Sequence, residues 1–200
     1  MLKFEKVSLT FKTEGREQHV LKDLSYTFET GKITAITGVS GIGKTTILNL
    51  AAGLLETSEG SVINTFAKTA YVFQEPRLLP WKNALENVTC VCGDEEKAKF
   101  YLDILLPEGS DKYPDELSGG MQQRVSIARA MAYDAELVLL DEALKGLDMQ
   151  TKDAVIKALR EHLKGRTAIM ITHDKSELEL CDTVLEISDA PISELKHVNR

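Results

Sequence analysis

One octapeptide, residues 38–45, restricts the fold of this chain more than any other segment. It reads Gly-Val-Ser-Gly-Ile-Gly-Lys-Thr and satisfies the pattern G-x-x-x-x-G-K-[ST] between an apolar strand and a predicted helix. Its glycines allow positive φ, so that successive N–H groups turn inward, and the following helix adds its positive N-terminal end. Lys44 can then reach the β- and γ-phosphates of a nucleotide, and the Thr45 hydroxyl can ligate Mg²⁺. A glycine-rich turn that matched by chance would have no reason to lie between a strand and a helix.

Apolar segments alternate with helical patterns along most of the chain. Strands are predicted at 33–37, 61–63, 69–73, 137–140, 167–172 and 184–187, and helices at 45–52, 94–106, 148–164 and 175–181. This alternation indicates an α/β fold with a mostly parallel sheet flanked by helices. Alternating apolar residues at 2–11, with a slip in phase, and at 24–28 predict an N-terminal antiparallel β subdomain. The whole chain, 1–200, is predicted to be one domain with a small helical insertion at approximately 75–130.

Composition excludes several classes of protein. The 200 residues carry a formal net charge of −7, which is unfavourable for nucleic-acid binding. No apolar stretch reaches the ~18–20 residues that a membrane span needs, and the N-terminus lacks the apolar core of a secretion signal. Three cysteines without a framework indicate reduced thiols. We therefore expect a cytoplasmic protein without a nucleic-acid partner.

Two consecutive carboxylates end the apolar strand at 137–140. Alone, Asp141 and Glu142 would be interpreted as a solvated acidic turn after a buried strand. With a phosphate loop upstream, Asp141 is predicted to hold Mg²⁺ through water, and Glu142 to polarise the water that attacks the γ-phosphate.

The segment 117–124, Leu-Ser-Gly-Gly-Met-Gln-Gln-Arg, resembles the LSGGQ signature of ATP-binding cassette (ABC) ATPases. Ser118 is a good N-cap, and its helix start would attract an anion as the helix after Lys44 does. Either the chain binds two phosphoryl groups, or each helix start serves a different chain. The resemblance implies the second arrangement: a homodimer holds two ATP molecules, each between the phosphate loop of one chain and the signature of the other.

The resemblance covers nearly the whole chain and implies a P-loop NTPase that hydrolyses ATP with Mg²⁺. The catalytic residues it implies are Gln74, Glu142 and His173, and the metal-binding residues are Thr45, Gln74 and Asp141. The implied nucleotide-binding residues are Phe11, Gly38, Ser40, Gly41, Gly43, Lys44, Thr45, Thr46, Ser118, Gly119, Gly120 and Asp148. Phe11 is the candidate for stacking on adenine, with Tyr26 as the alternative.

A finer resemblance lies in residues 72–81, Val-Phe-Gln-Glu-Pro-Arg-Leu-Leu-Pro-Trp, which are similar to the corresponding loop of nitrate, sulfonate and taurine importers. This implies membrane-spanning permease subunits as partners, a solute-binding protein indirectly, and a position on the inner face of the cell membrane. The apolar residues around Trp81 either pack on the chain's own core or dock onto a permease helix.

The resemblance has departures and rivals. Ala143, Leu144 and Lys145 replace the usual proline, aromatic and small residues before Gly146, which leaves the geometry at Asp148 open. An ABC ATPase acting on DNA would carry basic surfaces, and a small-molecule kinase would have no reason to carry the signature. An ABC ATPase that regulates a membrane partner without moving solute is the remaining alternative.

Overall fold

The computed structural model describes residues 1–13 and 15–198. Its strands are β1 (Leu2–Thr13), β2 (Arg16–Phe28), β3 (Ile33–Gly38), β4 (Glu59–Asn64), β5 (Thr69–Val72), β6 (Leu137–Asp141), β7 (Thr167–Ile171), β8 (Thr183–Ile187) and β9 (Lys196–His197). Its α-helices are α1 (Lys44–Ala51), α2 (Ala84–Cys92), α3 (Glu95–Leu105), α4 (Gly119–Tyr133), α5 (Met149–His162) and α6 (Lys175–Leu178). A short 3₁₀ helix spans Pro114–Glu116.

One compact unit is built from Met1–Ala67 and Gly165–Arg200, as far as these residues are described. It contains an antiparallel sheet with the strand order β2-β1-β4. In the same unit β3 lies between β7 and β8 and runs parallel to both, while β9 is antiparallel to β8. Because parallel strands end at one edge of a sheet, the segments after β3 and after β7 start at the same edge.

The phase slip predicted in β1 corresponds to an irregular register. The pairing of β1 with β2 shifts between Phe4 and Val7, and Lys6 has a left-handed φ of 47°. A bulge of this kind lets Phe4 and Val7 both point into the core although they are three residues apart, and both are buried.

The second compact unit comprises Lys68–Lys164. Its strands β5 and β6 are parallel neighbours, with Thr69 opposite Leu137, and α2, α3 and α4 pack on one another. In α5 the predicted apolar face is confirmed, because Val155, Ile156, Leu159 and Leu163 are all buried. The parallel pairs of both units and the N-terminal antiparallel sheet confirm the predicted α/β class.

The sequence patterns missed α2 and β9 and extended α6 too far, to residue 181. A capping box marks the start of α2: the Asn83 side chain accepts from the Glu86 N–H, and the Glu86 carboxylate accepts from the Asn83 N–H. The N-x-x-E spacing was therefore a usable signal for this helix. The single domain at 1–200 and its insertion at 75–130 stay predictions.

Within residues 1–13 and 15–198, every helix is too short or too polar to span a membrane.

Candidate functional site

The phosphate loop connects β3 to α1 in the first unit. Three of its glycines have positive φ: Gly38 at 142°, Gly41 at 77° and Gly43 at 115°. Lys44 Nζ donates to the carbonyl oxygens of Gly38 at 2.6 Å and Val39 at 2.9 Å, so the loop wraps around this ammonium. The sequence prediction of a strand, a glycine-rich turn and a helix is confirmed here.

Packing as well as conformation requires two of these glycines. A Cβ on Gly38 would lie 2.6 Å from the backbone oxygen of Ile187, and one on Gly43 would lie 2.6 Å from Cγ1 of Val20. Ile192 also packs against Gly43, where its Cδ1 would lie 3.0 Å from such a Cβ. The loop is thus supported from β2, from β8 and from the segment before β9. Ser40, Gly41 and Thr45 remain exposed on its open side, and Thr46 is half-buried.

His173 follows β7 at the sheet edge where β3 also ends. Its side chain is exposed, while its neighbours are fixed: Asp174 N–H donates to Thr172 Oγ1 at 3.1 Å, and the Asp174 carboxylate caps α6. The topology of the first unit therefore puts His173 and the phosphate loop at one edge of parallel strands.

The aromatic rings of Phe11 and Tyr26 differ in how many contacts they make with other side chains. Phe11 lies near the end of β1 and is 40% exposed. Tyr26 packs edge-on against Phe28, with ring centroids 4.9 Å apart, and its hydroxyl lies 3.4 Å from His197 Nε2. Since Tyr26 already contacts Phe28 and His197, Phe11 remains the better candidate for stacking on a base.

In the second unit, Asp141 ends β6 and Glu142 follows it with a left-handed φ of 45°. The Glu142 Oε2 atom accepts from Gln74 Nε2 at 3.3 Å and from Lys145 Nζ at 2.6 Å. Asp141 is buried. Burial of the Tyr71 phenol, followed by the negative charge of Asp141, raises the pKa of that phenol well above its ordinary value. Of the predicted catalytic residues in this unit, Gln74 and Glu142 are in direct contact.

The signature segment begins α4 as predicted. The Ser118 hydroxyl accepts from the Met121 N–H at 3.3 Å and so caps the helix, which runs for 15 residues. Ser118 and Gly119 are exposed, and a Cβ on Gly119 would meet nothing within 4 Å. Gly120 is half-buried, facing Leu147 and the carbonyl oxygen of Gly146. The first turn of α4 is therefore an open, capped helix start.

Asp148 acts as the N-cap of α5. Its Oδ1 accepts from the Thr151 N–H at 3.0 Å, and hydrogen bonds from the Thr151 side chain and then its backbone hold the pKa of this carboxyl below its ordinary value. Ala143 and Leu144, which depart from the usual pattern, are fully buried. These two departures extend the core before the turn at Gly146.

Trp81 lies in a fixed loop and is 70% exposed. The fully buried side chain of Asn87 holds that loop: its Oδ1 accepts from Leu79 N–H at 2.8 Å, and its Nδ2 donates to the carbonyl oxygens of Leu79 and Lys82 at 3.1 and 2.8 Å. Leu78 and Leu79 are half-buried, whereas Pro80 is exposed. The loop thus buries part of its apolar surface and presents Pro80 and Trp81 outward.

Comparison with known proteins identifies the family. Residues 21–145 match the family model described as ABC transporter, which is more than half of the chain. The chain belongs to the ABC transporter family. An aliphatic sulfonates import ATP-binding protein of Corynebacterium glutamicum is 38% identical to this ABC ATPase over 190 residues, covering 88% of this chain and 77% of the relative. The Rhodococcus jostii protein of the same description is 37% identical and covers 89% and 77%.

Other relatives of this ABC ATPase carry different descriptions. A putative hemin import ATP-binding protein of Staphylococcus haemolyticus is 32% identical and covers 96% of this chain and 98% of the relative. A solved dimeric structure of the ATP-binding cassette MJ0796, in a post-hydrolysis state with ADP and Pi, is 26% identical, with a TM-score of 0.90 and full coverage of both chains. The family and this neighbour confirm the predicted ATPase and the predicted nucleotide, ATP.

Sequence reasoning missed three side chains that shape the ABC site. Lys145 was noted only as a departure from the usual small residue, yet it pairs with Glu142. Arg129 donates to a loop carbonyl group that is distant in sequence, at Arg77. Asn87 donates to a nearby loop carbonyl group, at Lys82, but lies outside any recognisable motif. No local pattern signals a side chain that hydrogen-bonds backbone 53 residues away, as Arg129 does with Pro76.

Proposed function

We propose that this ABC ATPase is the ATP-hydrolysing subunit of an importer of small anionic sulfur compounds, with aliphatic sulfonates as the first candidate. The observation that carries the proposal is the 37–40% identity to aliphatic sulfonates import ATP-binding proteins from several bacteria. Solute selection in such an importer belongs to the permease and to a solute-binding protein, while this chain supplies the hydrolysis.

Each predicted site residue receives a role in this proposal. The loop amides and Lys44 bind the phosphates of ATP, assisted by Ser40 and Thr46, and Phe11 stacks on adenine. Ser118 and Gly119 present the helix start of α4 to the γ-phosphate bound by a second copy of the chain, and Gly120 and Asp148 support that surface. The exposed Ser118, Gly119 and Ser40 support these roles.

Mg²⁺ suits the oxygen donors that the motif supplies. The Thr45 hydroxyl is exposed at the start of α1, Asp141 is a carboxylate at the end of a strand, and Gln74 adds an amide oxygen. When bound, Mg²⁺ neutralises charge on the β- and γ-phosphates. These are the ligands we propose.

Hydrolysis then depends on three side chains. Glu142 accepts a hydrogen bond from the attacking water and orients it towards the γ-phosphorus, and Gln74, which contacts Glu142, keeps that carboxylate in place. His173 holds the γ-phosphate from the edge of β7. Because the departing ADP and phosphate release the second copy, turnover opens the dimer and drives the permease.

The proposed partners are two permease subunits in the membrane, against whose inner face the chain lies. The outward position of Pro80 and Trp81 on a loop held by Asn87 supports a docking surface for a permease helix. A regulatory role without solute transport is not favoured, since the relatives named above are described as import proteins.

Reconstitution tests the proposal. The chain is purified from membranes with its permease, placed in liposomes that contain MgATP, and supplied outside with the solute-binding protein and ethanesulfonate. We expect ATP-dependent uptake that is lost with Glu142→Gln, while sulfate and nitrate compete weakly. Uptake of a different solute class would contradict the sulfonate assignment, and hydrolysis without any uptake would favour the regulatory role.

A further inference from the structure

The loop that carries Gln74 is fastened to helix α4 on both sides of that residue. On the N-terminal side, Gln123 Nε2 donates to the Phe73 carbonyl oxygen at 3.2 Å. On the C-terminal side, the two terminal nitrogens of Arg129 donate separately, Nη2 to the Pro76 oxygen at 3.0 Å and Nη1 to the Arg77 oxygen at 3.1 Å. Between these anchors only Gln74 and Glu75 are left, and both are exposed.

The same loop is also closed upon itself. The Arg77 guanidinium lies 3.9 Å from the centre of the Phe73 ring, and Phe73 stacks on Tyr71 with ring centroids 4.0 Å apart. Arg77 reaches this position with a left-handed φ of 47°, which few residues other than glycine adopt without support. The two Arg129 hydrogen bonds fall on the carbonyl groups at this strained turn, so they hold it where it is least stable by itself.

Gln123 has little other reason to be a polar residue. It is only 4% exposed, and within the described part of the chain its Oε1 atom accepts no hydrogen bond. An apolar side chain of similar length would fill the same space without burying an unsatisfied oxygen. The hydrogen bond from Gln123 Nε2 to the Phe73 carbonyl oxygen is therefore what a glutamine contributes at this position and an apolar residue would not.

We propose that Arg129 is a positioning residue for Gln74, with Gln123 as its counterpart on the other side of the loop. The inference rests on the role proposed above for Gln74. Arg129 touches neither Glu142 nor a reacting atom; it acts by fixing the backbone from which the Gln74 amide reaches Glu142 Oε2. Since Ser118 caps the start of α4, the helix that presents the signature also sets the position of Gln74.

A double-mutant cycle on the purified full-length chain tests the proposal. Arg129→Lys keeps the positive charge but replaces two terminal nitrogens, which donate separately, by one nitrogen on a shorter side chain, so the two carbonyl groups can no longer be held in the same geometry. We expect kcat for MgATP hydrolysis to fall about tenfold, because small misplacements of positioning groups are amplified in rate. The Kd for a non-hydrolysable ATP analogue, measured without Mg²⁺, should change less than about twofold, since the loop that binds phosphate lies elsewhere in the chain. In a Gln74→Ala background, Arg129→Lys should have almost no further effect on kcat.

Two further variants distinguish a loss of positioning from a general loss of stability. Gln123→Met removes the opposite anchor at similar volume and should show the same dependence on Gln74. Asp94→Ala removes the N-cap of α3, which lies in the same unit but is not one of the hydrogen bonds that anchor the loop. It should lower the melting temperature while leaving kcat nearly unchanged in both backgrounds.

The outcomes separate the inference from the proposed function. If Gln74→Ala alone leaves kcat unchanged, the role proposed for Gln74 fails and the inference falls with it. If Gln74→Ala lowers kcat but Arg129→Lys and Gln123→Met lower it by the same factor in both backgrounds, only the inference is overturned. An unchanged kcat in both single variants would overturn it as well.

Discussion

Glu142 combines an unusual backbone with a crowded carboxylate. Its φ of 45° is left-handed, a conformation that costs of order 1–3 kcal/mol for a residue with a side chain and that occurs often at functional sites. Its Oε2 atom accepts from an amide and from an ammonium group at once. The carboxylate that we propose as the acceptor for the attacking water is therefore already paired with a cation, Lys145. This lysine occupies a position where the family usually has a small residue.

Replacing Lys145 tests this competition. In Lys145→Met, Glu142 loses its hydrogen bond at 2.6 Å and becomes a better acceptor for water. We expect kcat for ATP hydrolysis to rise about two- to fivefold, the range that corresponds to an exposed ion pair of up to ~1 kcal/mol. Lys164→Met is the matched control, since Lys164 also pairs with a glutamate three residues before it at 2.6 Å. A fall in kcat with Lys145→Met would mean that the lysine assists Glu142.

At the scale of elements, sequence patterns predicted the features that depend on interactions between neighbouring residues. The glycine conformations of the phosphate loop and the Ser118 cap follow from residues next to one another, and both were predicted correctly. The helix α2 was overlooked because it is only nine residues long, and its start is marked by a capping box rather than by periodicity. The anchoring of the Gln74 loop on α4 depends on tertiary packing, because side chains of the helix donate to backbone carbonyl groups about 50 residues away.

The loop between β5 and α2 carries the prediction that belongs to this scale. Trp81→Ala removes the most exposed aromatic ring of the loop, so it should weaken copurification with the permease several-fold while the Kd for ATP stays unchanged. Phe100→Ala is the control, because Phe100 is 59% exposed but lies on α3. The measurement is the ratio of permease to ATPase recovered from detergent-solubilised membranes. Equal losses in both variants, or none in either, would contradict docking through this loop.

At the scale of the whole molecule, the phosphate loop and the signature segment of one chain each lead into a helix, α1 and α4. Each attracts an anion, and the solved cassettes that the chain matches are dimeric. A dimer gives both helix starts a phosphoryl group to bind. In the proposed arrangement ATP joins the two copies, and its hydrolysis removes the γ-phosphate that we propose the signature of the second copy binds.

Trapping this state is the prediction for the assembled protein. Glu142→Gln preserves the shape of the side chain but removes its charge, so the water is no longer polarised while the residues proposed to bind ATP are unchanged. With MgATP the variant should elute from size-exclusion chromatography at twice the monomer mass, with hydrolysis reduced by roughly 10²-fold or more, the scale of losing a general base. Lys44→Ala in the same background should restore the monomer, because it weakens phosphate binding at α1. A Glu142→Gln protein that stays monomeric with saturating ATP, or that turns over at the normal rate, would show that the second copy is not held by the nucleotide and that Glu142 does not activate the water.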